Sequence, residues 1–365
     1  MNPAAAAHLQ KLRAVQKLAN TEFEDALARE AISRTRRFIK GVREYQHHPD
    51  RRDVVEAPVI WQAGNTLLRD YNPSQPDAPV VLVIPSLINR FDILDLDFAP
   101  SFLRSLAGQG VRPLVVDWDV PGPQEMKFDI SAYVTERLTP IMRFIRGRKD
   151  QPIHVLGYCM GGLFALALAA LRPNEIKSLT LMATPWDFHK PDASMGEAFA
   201  ALGDQMEPCL QATGLLPVDI IESLFATMQP MQALKKFTAF AGMNKDSMEA
   251  RQFVLLEDWL NDGVPLTAPV ARECLKGWYG ANHTAKYEWH VDGVIINPRH
   301  ITIPSYVVVP GKDKIVPPES AMPLAKLLPH ATLHEPMTGH IGMMASRNAL
   351  RRVWMPYFHW LEQHK

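Results

Sequence analysis

The chain has 365 residues, 47% of them apolar, and its 39 basic residues balance 39 acidic ones. Such a chain can bury a large core, and its balanced charge argues against nucleic acid as a partner. No apolar run approaches the length of a membrane span, and no signal segment is evident at the start, so we expect a cytoplasmic protein. The three cysteines form no zinc or disulfide pattern, and we expect no metal or other cofactor.

The first 48 residues have a helical pattern, with four apolar residues spaced three apart and a basic stretch between Arg34 and Lys40. The four apolar residues are Leu9, Leu12, Val15 and Leu18. We favour an amphipathic helix that lies on the domain over an arm that docks to a partner. We expect this helical segment to extend over residues 1–55.

From residue 56 onward, apolar strand patterns alternate with helical ones. The predicted strands are 66–71, 79–85, 112–117, 153–156, 178–182 and 303–309, and the predicted helices among them are 101–109, 130–146 and 163–170. Repeated strand and helix units predict an α/β protein whose mostly parallel sheet has helices on both faces.

The strand at Ile153–Leu156 leads directly into Gly157-Tyr158-Cys159-Met160-Gly161-Gly162, which an alanine- and leucine-rich helix follows. Glycines two residues before and two after Cys159 allow the sharp strand-to-helix turn of a nucleophile elbow, because no side chain fits where the backbones nearly touch. The turn places the sulfur near the positive end of the helix dipole, which favours a thiolate. We therefore predict that Cys159 is a nucleophile.

Two loops farther along the chain supply the other members of a triad. Asp313 follows the predicted strand at 303–309, and His340 follows another short strand about 27 residues later. The order nucleophile, acid, histidine is that of α/β hydrolases. His154 and His334 lie within strands and are predicted to be packed side chains. The pattern predicts an α/β-hydrolase fold with Cys159, Asp313 and His340 as catalytic residues.

The strand and helix alternation stops for about a hundred residues after Trp186. We expect residues 186–298 to form a helical cap inserted between two parts of the hydrolase core, 56–185 and 299–365. Methionines are frequent here, which suits an adaptable apolar channel, although packing between helices explains most of them individually. We expect the cap to cover the site as a mobile element.

The sequence resembles the catalytic subunit of polyhydroxyalkanoate synthases from about residue 60 onward. The motifs that carry the resemblance are Pro85-Ser86-Leu87-Ile88-Asn89-Arg90, Ile93-Leu94-Asp95-Leu96, Val116-Asp117-Trp118, the Cys159 box, Asp313 with Ile315-Val316-Pro317, and Gly339-His340-Ile341-Gly342. The resemblance implies the same catalytic Cys159, Asp313 and His340. It also implies that Asp95 and Asn89 support the site or contact the substrate.

The resemblance implies an acyltransferase that polymerises 3-hydroxyacyl-coenzyme A into polyester and releases coenzyme A. The growing chain, or a granule surface, is then a second partner. The chain length resembles that of the short, two-subunit type, which implies an accessory subunit, and we expect a homo-oligomer. Backbone amides of Met160 and of the Leu87–Ile88 turn are the predicted oxyanion donors.

Two departures leave an alternative open. Lys314 stands where many family members have histidine, and the segment Asp119-Val120-Pro121-Gly122 differs from the family's usual version. Neither change removes a triad residue. The alternative is a thioesterase or ester hydrolase that uses the same Cys159, His340 and Asp313.

Overall fold

The computed structural model describes residues 20–53, 55–96, 100–148, 151–228 and 231–365. The apolar residues at 9, 12, 15 and 18 lie outside the described residues. The described chain forms two compact units, one from residues 20–51 and 231–255 and the other from 52–228 and 256–365. Residues 231–255 of the predicted cap segment thus belong to the smaller unit.

The smaller unit contains helix α1, Asn20–Gln46, which packs against the helix Gln232–Phe240. A side chain at Gly41 would place its Cβ 1.9 Å from the carbonyl oxygen of Phe237, so glycine permits the close approach of the two helices. Aromatic rings fill the space around this contact, including Tyr45, whose ring centroid lies 5.6 Å from that of Phe237. Of the predicted helical segment, the described residues from Asn20 to Gln46 are therefore a helix, and those after Gln46 are not helical.

The larger unit contains an eight-stranded sheet in the order β1-β2-β4-β3-β5-β6-β11-β12. Its strands are β1 Val59–Ala63, β2 Thr66–Asp70, β3 Val80–Ile84, β4 Arg112–Asp117, β5 Ile153–Tyr158, β6 Ile176–Met182, β11 Ser305–Val308 and β12 Ala331–His334. The pairs β1/β2 and β2/β4 are antiparallel, and the other neighbours are parallel. Strands β3 and β5 are buried along their whole length, as a sheet covered on both faces requires.

Helices cover both faces of this sheet, and apolar side chains on each face form a separate core cluster. The helices that connect successive strands are Phe102–Ala107, Ile130–Tyr133, Thr139–Arg146, Gly161–Leu171 and Pro318–Leu327. The helices that follow β12 are Gly342–Ala345 and Met355–Glu362. The predicted α/β class with a mostly parallel sheet is confirmed.

Between β6 and β11 lie further helices and two small antiparallel strand pairs. The helices are Ala193–Thr213, Val218–Met228, Gln232–Phe240, Met248–Asn261 and Ala268–Arg272, and the pairs are β7 Leu215–Leu216 with β8 Leu266–Thr267 and β9 His290–Val291 with β10 Val294–Ile295. Among the described residues, no helix is both long and apolar enough to cross a membrane.

Two elements differ from the sequence-based expectation. The edge strand β1 was not predicted, because Val59–Ala63 offers only a short apolar alternation before the turn at Gly64, whose φ is +55°. The predicted helix 130–146 contains a wider π-helical turn at Val134–Leu138.

Candidate active site

The nucleophile elbow forms at the end of β5, and its geometry follows from three glycines. A Cβ at Gly157 would lie 2.4 Å from the Gly162 Cα, one at Gly161 would lie 2.1 Å from the Ile84 carbonyl oxygen, and one at Gly162 would lie 1.8 Å from the Thr184 hydroxyl. No side chain fits at these distances, so the turn packs against backbone at Gly157 and Gly161 and against the Thr184 side chain at Gly162. The following helix begins at Gly161.

Cys159 occupies a left-handed backbone conformation with φ of +55°. A non-glycine residue there is strained, and the surrounding structure must hold it in place. The Cys159 amide donates to the Met182 carbonyl at 2.8 Å, and the Cys159 carbonyl accepts from the Gly162 amide at 2.9 Å. The side chain is partly exposed at the carboxyl end of the sheet. The elbow thus presents the sulfur to a reactant.

Asp313 and His340 meet in a buried hydrogen bond. The Asp313 Oδ2 atom lies 2.7 Å from His340 Nδ1, and the two residues are only 3% and 6% exposed. The Asp313 Oδ1 atom accepts hydrogen bonds from the amides of Ile315 and Val316 at 2.8 and 2.9 Å. The carboxylate is therefore fixed by its own loop, and it orients the imidazole so that Nε2 is directed to the other side of the ring.

The electrostatics of the site couple His340 to both neighbours. Burial alone lowers the pKa of His340, but the Cys159 sulfur and the Asp313 carboxylate outweigh it and raise the pKa to about 10. A hydrogen bond to Cys159 contributes to the same shift. These interactions bring the three predicted catalytic residues together and favour the charged form of the His340 imidazole.

Two tyrosines border the sulfur. The Tyr158 ring lies 5.3 Å from the His340 ring between centroids, and its hydroxyl donates to the His340 carbonyl at 3.3 Å. Burial, followed by the proximity of Cys159 and Cys274, raises the pKa of Tyr279 above its ordinary value. Tyr279 belongs to the insertion, and its ring packs on Phe199 with centroids 4.4 Å apart. The sequence favoured a packing role for Tyr279 and gave a role in the substrate channel second place.

The predicted oxyanion donors lie on the two segments that flank the elbow. Met160 directly follows the nucleophile and is buried, and Leu87 and Ile88 follow β3, the neighbour of β5. The Ile88 amide donates a hydrogen bond to the Ser86 hydroxyl at 3.3 Å. Parallel strands end at one edge of the sheet, so this arrangement suits a pair of backbone donors above Cys159. The role of these amides stays a prediction.

Asp95 and Asn89 lie in the same region but have different surroundings. The Asp95 carboxylate accepts from Arg104 at 2.9 and 3.0 Å and from the Tyr71 hydroxyl at 2.9 Å, so it anchors the segment after β3. Asn89 forms an isolated antiparallel bridge with Gly263. Lys314 is exposed beside Asp313. A direct contact of Asp95 or Asn89 with a substrate stays a prediction.

The competing histidines have other partners. His154 is buried in β5 and shares a 2.7 Å hydrogen bond with Ser178, and burial lowers its pKa to about 4. His334 Nε2 lies 2.7 Å from the Arg352 carbonyl. His189 Nε2 lies 2.9 Å from the Tyr279 carbonyl. Among the described residues, only His340 pairs with a buried carboxylate.

A family model described as the alpha/beta hydrolase fold matches residues 79–345. The chain belongs to this family. Among solved structures, the monoacylglycerol lipase of Paleococcus ferrophilus is similar to this chain. The two superpose with a TM-score of 0.51 at 13% identity, and the match covers 82% of this chain and 100% of the lipase chain. At that identity the likeness concerns the fold alone.

Two curated relatives of this α/β hydrolase carry the name poly(3-hydroxyalkanoate) polymerase subunit PhaC. The protein of Haloferax mediterranei is 29% identical over 317 residues, which cover 84% of this chain and 63% of the relative. The protein of a Synechocystis species is 26% identical over 348 residues, which cover 92% of each chain. These relatives confirm the predicted resemblance to polyhydroxyalkanoate synthases and the prediction of an enzyme of that type.

Proposed function

We propose that this α/β hydrolase polymerises 3-hydroxyacyl-coenzyme A into polyhydroxyalkanoate through a cysteine-bound acyl thioester, with release of coenzyme A. The observation that carries the proposal is the coupling of His340 to both Cys159 and a buried Asp313, in a chain whose relatives are named polymerases. A cysteine suits this reaction because exchange of one thioester for another keeps the acyl group activated.

In the first step, His340 accepts the proton of the Cys159 thiol, and the sulfur attacks the carbonyl carbon of the substrate thioester. A tetrahedral oxyanion forms, and the amides of Met160 and of the Leu87–Ile88 turn stabilise it by hydrogen bonds. The carbon–sulfur bond to coenzyme A then breaks, and the leaving thiolate takes the proton that His340 holds. The product is an acyl enzyme on Cys159 and free coenzyme A.

In the second step, the 3-hydroxyl oxygen of another hydroxyacyl unit attacks the acyl enzyme. His340 accepts the hydroxyl proton, the new ester bond forms, and the bond to the Cys159 sulfur breaks. Asp313 holds the imidazole in the tautomer that leaves Nε2 free to accept and stabilises its charged form. Water in place of the hydroxyl would give hydrolysis, so the acceptor decides between the polymerase and the thioesterase or ester hydrolase.

The decisive experiment incubates the purified protein with 3-hydroxybutyryl-coenzyme A and separates insoluble polyester from free hydroxyacid. We expect polymer as the main acyl product. Free 3-hydroxybutyrate in its place would favour the hydrolase. Release of the coenzyme A thiol does not discriminate, because both reactions produce it, and it serves to match the turnover of the two assays.

The proposed substrate and product define the remaining partners. We propose that the growing polyester, or the granule surface that it forms in the cytoplasm, is the second partner, and that the insertion near Tyr279 covers the site. An accessory subunit and a homo-oligomer are further expectations. Light scattering of the purified chain gives its oligomeric state, and co-purification of a second small subunit from the native host tests the accessory partner.

A further inference from the structure

The loop after β3 is joined to the insertion by backbone contacts at three consecutive residues. The Ile88 carbonyl accepts from the Val264 amide at 2.7 Å, Asn89 bridges Gly263, and the Arg90 carbonyl accepts from the Trp259 indole at 2.8 Å. This loop carries the proposed donors at Leu87 and Ile88. The position of those donors therefore depends on residues 259–264.

The side chain of Arg90 adds a third segment to this junction. Its Nη1 atom donates to Asp119 Oδ1 at 3.0 Å, and its Nε atom donates to Asp262 Oδ2 at 2.8 Å. Asp119 follows β4 and Asp262 follows the helix Met248–Asn261, so one guanidinium joins the loops after β3 and β4 to the insertion. The planar fork of arginine holds its donors in fixed directions, so Arg90 reaches two carboxylates on different segments at once. We call Arg90, Asp119 and Asp262 the clasp.

Asp119 holds a strained backbone in this clasp. Its φ is +51°, and its Oδ1 atom also accepts from the Val120 amide at 2.8 Å. A residue held in this region is strained and persists where the surroundings fix it, as happens at functional sites. Asp119 also begins the segment that departs from the family's usual version.

The clasp contributes little to stability. The side chains of Arg90, Asp119 and Asp262 are 30%, 41% and 58% exposed, and ion pairs at such exposure add little to the free energy of unfolding. The clasp therefore acts by fixing the positions of the segments that it joins. A donor of the oxyanion hole acts only when it is about 2.7–3.1 Å from the developing charge, and a misplacement of about 1 Å costs about a hundredfold in rate.

We propose that Arg90 is a positioning residue, which holds the loop after β3 in the geometry that oxyanion stabilisation above Cys159 requires. The inference rests on the proposed function, since it assigns the loop a role in the acylation step. Loss of the clasp lets residues 87–90 move away from the elbow, while Cys159, His340 and Asp313 keep their own contacts. The clasp therefore affects the rate of acylation and leaves substrate binding nearly unchanged.

The test compares Arg90→Gln with Arg172→Gln. Arg172 is a matched control because it is 31% exposed and pairs with Glu175 at 3.3 Å at the far end of the elbow helix. Rapid-quench intact-mass measurements give the rate of Cys159 acylation by 3-hydroxybutyryl-coenzyme A and its half-saturation concentration. We expect acylation about 10–100-fold slower in Arg90→Gln with an unchanged half-saturation concentration, and no change in Arg172→Gln.

Three further measurements separate positioning from folding. Arg90→Lys should restore part of the rate, because lysine keeps the positive charge but lacks the fixed fork that holds the two carboxylates. Asp262→Asn should slow acylation alone, and it should add little in the Arg90→Gln background. Hydrogen exchange at the Val264 amide should increase in Arg90→Gln and stay unchanged in Arg172→Gln.

The outcomes divide cleanly between the two proposals. Absence of acylation in the wild-type protein would refute the proposed function, while the exchange measurement would still report on the clasp. A wild-type acylation rate in Arg90→Gln, or a loss expressed only as a higher half-saturation concentration, would overturn the positioning role. Full additivity of the Arg90 and Asp262 substitutions would overturn it as well. Unfolding of Arg90→Gln leaves Asp262→Asn, an exposed position, as the deciding variant.

Discussion

The nucleophile and its two partners are positioned in different ways. Cys159 is partly exposed and is set by backbone shape, through glycines that admit no side chain. Asp313 and His340 are buried and are set by hydrogen bonds, two of them from the backbone amides of the Asp313 loop. The contrast indicates that sterics at the elbow decide where the sulfur is, while charge in the buried pair decides what the imidazole does.

Removal of the sulfur tests the role of the nucleophile at the elbow and should have the largest effect. Cys159→Ala removes the nucleophile and one heavy atom, so turnover should fall by roughly 10⁶-fold with an unchanged fold. Intact-mass labelling by a substrate analogue should vanish, with circular dichroism as the check on folding. Cys209→Ala, on the helix Ala193–Thr213, is the matched control and should keep both labelling and turnover. Label on Cys209 or Cys274 in the wild type would show that the elbow assignment is wrong.

Removal of the Asp313 carboxylate charge tests the role of charge in the buried pair of Asp313 and His340. Asp313→Asn keeps nearly the same shape but favours the wrong histidine tautomer, and transfer to the hydroxyl acceptor should slow by about 10⁴-fold. Acylation should survive better, because the thiol gives up its proton more easily than a hydroxyl does. Rapid-quench sampling should therefore find acyl enzyme accumulating in this variant.

His340→Gln is the companion variant, since it removes the base itself and should suppress both steps. Equal losses of acylation and transfer in Asp313→Asn would contradict the division of labour. Full activity in His340→Gln would overturn the triad.

A methyl group at the elbow should have a smaller effect that acts through shape alone. Gly162→Ala places a Cβ 1.8 Å from the Thr184 hydroxyl, so the turn must shift. We expect a destabilisation of about 1–3 kcal/mol and a loss of activity of about a hundredfold from the displaced sulfur. Gly242→Ala is the control, because its Cβ would meet the Ala239 carbonyl at an ordinary 3.5 Å. Urea unfolding and initial rates measure the two effects, and wild-type behaviour of Gly162→Ala would show that the elbow tolerates a side chain.

The contrast also explains which parts of the site the sequence could predict. The glycine spacing around Cys159 and the order of Cys159, Asp313 and His340 are local patterns, and they predicted both the fold class and the residues that the structure brings together. Arg90 carries no such pattern, because its partners Asp119 and Asp262 lie 29 and 172 residues away and meet it only in the folded chain. Tyr279 is similar, since the aromatic composition of the insertion suits packing equally well.

The N-terminal region shows the same limit on a larger scale. Periodicity predicted a helix there, but nothing in the sequence indicated that α1 shares a compact unit with residues 231–255. The contact at Gly41 and Phe237 depends on a close backbone approach between segments almost two hundred residues apart. Long-range pairings of this kind depend on tertiary packing, which no single-sequence pattern encodes.

The smallest effect we predict is a pH dependence of stability at the buried pair. Burial lowers the pKa of His340, but the Cys159 sulfur and then the Asp313 carboxylate raise it to about 10 in the folded protein, above its ordinary value of 6.5. A raised histidine pKa stabilises the fold fully below the unfolded value, and this contribution disappears as the pH rises through the folded one. At pH 6 the unfolding free energy of the wild type should therefore be about 2 kcal/mol higher than that of Asp313→Asn, which is the size of a charged hydrogen bond. At pH 10 the two unfolding free energies should be nearly equal.

Asp70→Asn provides the control for this measurement. Its carboxylate is also buried, but it pairs with Arg112 at 3.0 Å, and arginine stays charged throughout this range. The difference in unfolding free energy between wild type and Asp70→Asn should thus stay constant between pH 6 and pH 10, as measured by urea unfolding. If the difference in unfolding free energy between wild type and Asp313→Asn also stayed constant, His340 would be neutral beside Asp313 from pH 6 to pH 10. The sulfur would then have no imidazolium to face, and the distinction between a nucleophile placed by shape and a base held by charge would fail.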